Sequence, residues 1–145
     1  MALPAEARLY ETMAQIAARY GQPVETHDGY APQHKLYTYN YKGYAVLVHF
    51  YNGVSAEEVY TKLDGTPIQE AEIQGLLEPN ACGGQWEIQT PLAEQGGPFL
   101  AYSNGTKLMA NYLGDLNQLK VCVRAFNEWY RQAKTTAQKN GVSGF

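Results

Sequence analysis

Two Asn-Gly dipeptides, Asn52-Gly53 and Asn104-Gly105, constrain this chain more than any other feature, because each lies between runs of β-favouring residues. Asn-Gly accepts the positive φ angles of a tight hairpin turn, so each marks a point where the chain reverses and pairs with itself. The first sits inside YNYKGYAVLVHFYNGVSAEEVY, from Tyr39 to Tyr60, and the second separates FLAYS from TKLMANY. Gly53 and Tyr60 are seven positions apart, as are Gly105 and Tyr112, and a helix-start signal follows each copy: Thr66-Pro67 in one, Asp115 in the other. The pattern predicts a quasi-repeat of two helix-plus-meander units, over 4–63 and 66–113, within a single domain and followed by a closing helix over 115–138.

The local signals fill in this plan. Leu9, Met13, Ile16, Ala17 and Tyr20 form one helical stripe, predicting a helix from Pro4 to Tyr20 that Gly21 and Pro23 stop. The polar, turn-rich stretch up to His34 reads as a loop. Strands are expected from Leu36 to Tyr41 and from Tyr44 to Tyr51, with Lys42-Gly43 between them. A two-residue turn at Asn52-Gly53 then sets Tyr51 opposite Val54, His49 opposite Ala56, Leu47 opposite Glu58 and Ala45 opposite Tyr60. It puts Val46, Val48 and Phe50 on the core face. Thr66-Pro67-Ile68-Gln69 reads as a capping box opening a helix that turns Ile73, Leu76 and Leu77 inward and stops near Glu78, before Pro79. Trp86, Ile88 and Thr90 alternate as a fourth strand, EQGGP at 94–98 is a loop, and the second hairpin covers 99–113.

The C-terminal third supports two periods at once. Leu119, Val121 and Val123 alternate like a strand, whereas Leu116, Leu119, Val123, Phe126, Tyr130 and Ala133 keep helical spacing. The longer pattern favours one helix opened by Asp115 to Gln118, with QKNGVSGF as a frayed tail. The expected fold is therefore α+β: an antiparallel sheet of about six strands with the helices packed on one face.

Composition narrows function mainly by exclusion. A chain of 145 residues with 45% hydrophobic and 17% charged residues has the make-up of a globular domain. Its net charge of −3 and its scattered Lys and Arg offer no basic track for nucleic acid. No apolar run approaches the roughly 18 residues of a membrane span. The start, MALPAEARLYE, lacks the regions of an intact signal peptide, which leaves a cytoplasmic protein or an exported one whose leader has been removed. Export, to the periplasm or beyond, is the favoured of the two. Cys82 and Cys122 have no metal-ligand spacing; they could pair in an oxidising compartment, but a buried Cys122 on a helix and a small loop residue at Cys82 is the simpler reading.

No catalytic constellation is legible, and no cofactor or metal is called for. His27-Asp28 and His34 share one polar stretch without a third ligand at metal spacing, so a solvated loop accounts for them. Glu57 and Glu58 are adjacent and so point to opposite faces of a strand, which is the wrong arrangement for paired acid/base work. His49 has Glu58 beside it across the predicted hairpin, close enough for a carboxylate to orient an imidazole, although a purely structural polar pair is the commoner outcome. The tyrosines stand out: the chain has twelve, and Tyr37, Tyr39, Tyr41, Tyr44, Tyr51 and Tyr60 all fall in the first meander. Rigid amphipathic rings of this kind suit a recognition surface, and they also suit a half-buried sheet.

The order of a helix, Arg19-Tyr20-Gly21-Gln22-Pro23, and a meander holding Val48-His49-Phe50-Tyr51-Asn52-Gly53 resembles small exported bacterial proteins of the outer-membrane assembly lipoprotein class. The tandem helix-plus-meander plan is also similar to the β-lactamase inhibitory protein type. The likeness spans about Arg19 to Lys62 and implies a sheet that serves as a protein-binding platform without a catalytic site. No lipobox cysteine is present, so membrane anchoring is not implied. The expected function is a non-enzymatic module binding another protein or a glycan through Tyr37, Tyr39, Tyr41, Tyr51, Tyr60 and Trp86, with His49 and Glu58 as its polar groups. The alternative is a small-molecule carrier or small enzyme with a pocket between sheet and helices near His49 and Glu58, and a homodimer burying its own tyrosine face is a third arrangement.

Overall fold

A computed structural model describes residues 8–89, 99–142 and 144. Its centre is one antiparallel sheet of eight strands, two more than expected: β1 (Glu25–Asp28), β2 (His34–Tyr41), β3 (Tyr44–Tyr51), β4 (Val54–Lys62), β5 (Glu87–Ile88), β6 (Phe99–Asn104), β7 (Leu108–Leu113) and β8 (Gln118–Val123). The spatial order is β1-β2-β3-β4-β8-β7-β6-β5. Two four-stranded meanders thus meet at β4 and β8, where Glu57 to Thr61 pair with Cys122 to Gln118.

The two unexpected strands have different causes. β1 lies in the stretch read as a loop: Glu25 to Asp28 are all exposed, and only pairing with Lys35 to Thr38 makes them a strand. β8 replaces the first part of the predicted 115–138 helix. Leu119 and Val121 are fully buried between β4 and β7, and burying each is worth about 1.5–3 kcal/mol. The alternating period therefore prevails up to Val123, and the helical period takes over in α3 (Arg124–Gly141), which runs on into the predicted tail.

The other helices are shorter than predicted. α1 (Met13–Tyr20) opens on a capping box, with the Thr12 hydroxyl accepting from Gln15 N–H and the Gln15 carbonyl oxygen from Thr12 N–H. Leu9 is fully buried but precedes the helix, and positions 4–7 lie outside the described residues. α2 (Glu70–Leu77) is capped by Gln69, three residues past the expected Thr66, whose hydroxyl donates to Asp64 instead. A 3₁₀ turn (Glu78–Asn80) ends it. The fourth predicted strand shrinks to Glu87 and Ile88, while Thr90 and the EQGGP loop lie outside the described residues.

The helices do not share a face. Tyr39, Val46, Val48, Phe50, Tyr60, Leu119 and Val121 form one buried sheet face, against which α1 and α2 pack through Ile16, Tyr20, Ile73 and Leu77. α3 covers part of the opposite face, where its Phe126 and Tyr130 rings meet His49. This arrangement replaces the expected single helical layer. It follows from β8: once the chain enters the sheet at Gln118 it leaves at Val123 on the side α1 and α2 do not occupy.

Candidate functional site

A β-bulge decides which side chains converge. Tyr51 faces Val54 and Phe50 faces Ser55 as expected, but His49 then faces Glu57, so that Ala56 is an extra residue in β4. Beyond it every β4 side chain lies on the opposite face from that of a regular hairpin. Glu57 joins His49 under α3. Glu58 and Tyr60 cross to the α1/α2 face with Val48 and Val46. The expected His49–Glu58 pair is therefore split by the sheet, and the carboxylate beside His49 is Glu57.

Under α3 the polar groups form a directional chain. Tyr30 N–H donates to His34 Nδ1 at 3.1 Å, which leaves the His34 proton on Nε2, 3.0 Å from His49 Nδ1. His49 in turn carries its proton on Nε2, aimed at Glu57 Oε2 3.2 Å away. His34, read from the sequence as a solvated residue, is fully buried, as are His49 and Glu57. Burial, followed by the positive surroundings of His34 and Lys120, pushes the His49 imidazole down to about 3. Burial likewise lowers His34. It lifts Glu57 to about 7 against the pull of Lys120 and Lys134, and Glu57 Oε1 has no hydrogen-bond partner among the described residues. The chain can store a proton near neutral pH. It is closed at the His34 end by the Tyr30 amide, so it is not laid out to exchange that proton with a substrate there.

The roof of this chain is also the wall of a cavity. The ring centres of His34 and Trp129 lie 5.3 Å apart, edge to face, and those of Tyr51 and Trp129 4.8 Å apart. Beside these rings a cavity of about 410 Å³ opens between the β3–β4 hairpin and α3, lined by Tyr10, Tyr51, Asn52, Val54, Ser55, Ala56, Val123, Ala125, Phe126 and Trp129. Its size falls in the range of small-molecule sites. Tyr10 closes one side with φ at 72°, a rare conformation for a bulky residue. Two backbone bonds hold it there: Tyr10 N–H donates to Ser55 O at 2.7 Å and Ser55 N–H to Glu11 O at 2.8 Å. A second cleft, about 770 Å³, lies beyond Tyr10 between Cys82-Gly83-Gly84 and the Gly105-Thr106-Lys107 turn. Cys82 there is exposed and Cys122 is buried on β8, and both are free thiols.

The opposite face holds a separate polar network. Tyr20 and Tyr60 hydroxyls both donate to Glu58 Oε1 at 2.9 Å, and Ser55 Oγ donates to Oε2 at 2.9 Å. Asn80 Nδ2 donates to the Tyr60 oxygen, while Asn80 Oδ1 accepts from Leu9 N–H. The fully buried carboxylate thereby ties the N-terminal segment, α1, β4 and the 3₁₀ turn together.

The expected site residues are thus dispersed. Tyr39 and Tyr60, at 1% and 2% exposure, are core residues beneath α1 and α2, and Tyr37 and Tyr41 are half-buried on the same covered face. Trp86 is half-buried and donates to Leu77 O at 2.8 Å. Of the expected residues Tyr51 alone lines the cavity below α3. Tyr10, Phe126 and Trp129 were not singled out as site residues, although the 126, 129, 130 spacing marks one side of a helix. Searches of protein-family models, curated proteins and solved structures return no match to this chain.

Proposed function

We propose that this protein binds a small, mainly apolar ligand in the cavity between the β3–β4 hairpin and α3. One observation carries the reading: a cavity of about 410 Å³ walled by Tyr51, Phe126, Trp129, Val54 and Ala56. Apolar walls with a few polar groups at the margin are the usual make-up of a ligand pocket. Tyr10 and Asn52 supply those groups, because the Ser55 hydroxyl is already committed to Glu58. The burial of Tyr39 and Tyr60 draws the reading away from a protein or glycan docked on the tyrosine face.

Trp129 gives a direct readout, since Trp86 is the only other tryptophan. In a Trp86→Phe background, the uncharged probe N-phenyl-1-naphthylamine should accept energy from Trp129 with saturable, single-site binding. Ala125 is exposed on the first turn of α3 and lines the cavity, so Ala125→Phe should fill the space without disturbing the fold. It should weaken binding at least tenfold, or about 1.4 kcal/mol. Absence of saturable transfer, or equal affinity in the Ala125→Phe variant, overturns the proposal.

A further inference from the structure

We infer a second binding site, on the opposite side of the sheet, for a small carboxylate with a short apolar or aromatic tail. A cavity of about 150 Å³ lies there between Arg8, Lys42 and the rings of Tyr20, Tyr41, Tyr44 and Tyr60, with Val46 and Leu76 completing the wall. Two cations thus border a space otherwise built from apolar surface.

The state of Arg8 points to an anion. Its guanidinium lies 5.6 Å from the centre of the Tyr20 ring, and its Nε is buried without a hydrogen-bond partner among the described residues. The buried carboxylate of Glu58 is already served by three hydroxyl donors, from Tyr20, Tyr60 and Ser55. Burial raises the Glu58 carboxyl, and Arg8 opposes that shift only through space, behind the three hydroxyl donors and without a direct bond to it. The Nε–H is closed off from the cavity and its want of an acceptor is a cost within the fold, whereas the terminal N–H groups of the guanidinium have the geometry that suits a carboxylate. Lys42 adds a second positive charge at the rim, 5.3 Å from the Tyr41 ring.

The walls restrict which anion fits. A bare inorganic oxyanion would press its hydration shell against tyrosine rings, Val46 and Leu76. A carboxylate with a compact tail instead places its charge at Arg8 and its carbon skeleton against those walls. Tyr44 does not compete for that headgroup, because its hydroxyl donates to Glu72 at 2.7 Å.

Benzoate is the probe, followed by calorimetry and by the NMR signals of Tyr20, Tyr41 and Tyr44. Benzoate should bind with one-site stoichiometry, while benzyl alcohol and inorganic phosphate at the same concentration should not. Arg8→Gln should weaken benzoate at least tenfold. Because Arg8 packs on Tyr20, the independent variant is Lys42→Asn, in an exposed turn at φ 49° that asparagine accepts; a threefold or greater loss is expected there. Benzyl alcohol binding as tightly as benzoate, phosphate displacing it at equal concentration, or unchanged affinity in both variants would each overturn the assignment.

Discussion

At the scale of single residues, Glu57 and His49 make the molecule's response to pH unusual. Burial raises Glu57 from 4.5 to about 7 and lowers His49 from 6.5 to about 3. Between pH 4.5 and 6.5 the unfolded chain has lost the Glu57 proton that the folded protein keeps, and has gained a His49 proton that the folded protein refuses. The two effects oppose each other, each with a slope on the order of 1.4 kcal/mol per pH unit. Their slopes therefore nearly cancel across that window, although each shift remains a cost to the folded state. Below 4.5 the Glu57 contribution ends while those of His49 and His34 continue, and Glu72, held down to about 2 by its hydrogen bond from Tyr44, adds a loss in the same direction, so stability falls toward pH 3. Glu57→Gln keeps an acceptor for His49 and removes the raised carboxyl. The variant should be more stable than the parent at pH 7 to 8, by roughly 2–3 kcal/mol, with the advantage shrinking as pH falls and gone by pH 4.5. Urea unfolding at several pH values measures this. A difference that grows as pH falls would mean that Glu57 is held ionised, as in an ion pair with a charged His49.

Among elements, two glycines separate a steric demand from mere permissiveness. A Cβ on Gly29 would fall on the His34 imidazole, at the closed end of the histidine chain, whereas one on Gly75, within α2, would meet nothing within 4 Å. Gly29→Ala should cost about 2 kcal/mol or more, because His34 is fully buried and has no room to give. Gly75→Ala should instead stabilise by about 0.5–1 kcal/mol through helix propensity. Chemical denaturation of both variants checks the opposite signs, and equal effects would show that the Tyr30–His34 turn is not tightly fixed. The same elements show what a sequence of this kind reveals. The turns at Lys42-Gly43 and Asn52-Gly53 were legible because their positive φ angles are a local demand on residue type. The core face of β3 was legible because Val46, Val48 and Phe50 alternate. β1 was not, since four exposed polar residues become a strand only through a neighbour's backbone. Nor was the bulge at Ala56: no side chain there announces an extra residue, yet it decides that Glu57 rather than Glu58 meets His49. Phe126 and Tyr130 were legible as part of a helical stripe, but the face they cover depends on β8, where both periods fitted the same residues.

On the scale of the whole molecule, the order of strands interlocks the two ends of the chain. β8 joins the second meander to the first through β4, and the next element, α3, then packs back over β2 and β3 of the first meander. The N-terminal segment is held by Asn80, which follows α2, so contacts between distant parts of the chain close over both faces. Neither meander completes its core alone: Tyr60 of β4 lies opposite Leu119 of β8, and the Tyr112 hydroxyl accepts from Ile68 N–H ahead of α2. Such an arrangement should unfold as one unit. The two tryptophans sit where they can test it, Trp129 on α3 over the first meander and Trp86 against the end of α2, ahead of the second. Single-tryptophan proteins made by Trp86→Phe and by Trp129→Phe should each give a fluorescence transition coinciding with the loss of far-ultraviolet circular dichroism in that same protein. Both should also show the same denaturant dependence, although the Trp129 replacement will lower the midpoint because it removes part of the cavity wall. If the tryptophan signal and the backbone signal separated within either protein, the β4–β8 ladder would be a seam between two cooperative units instead of the middle of one.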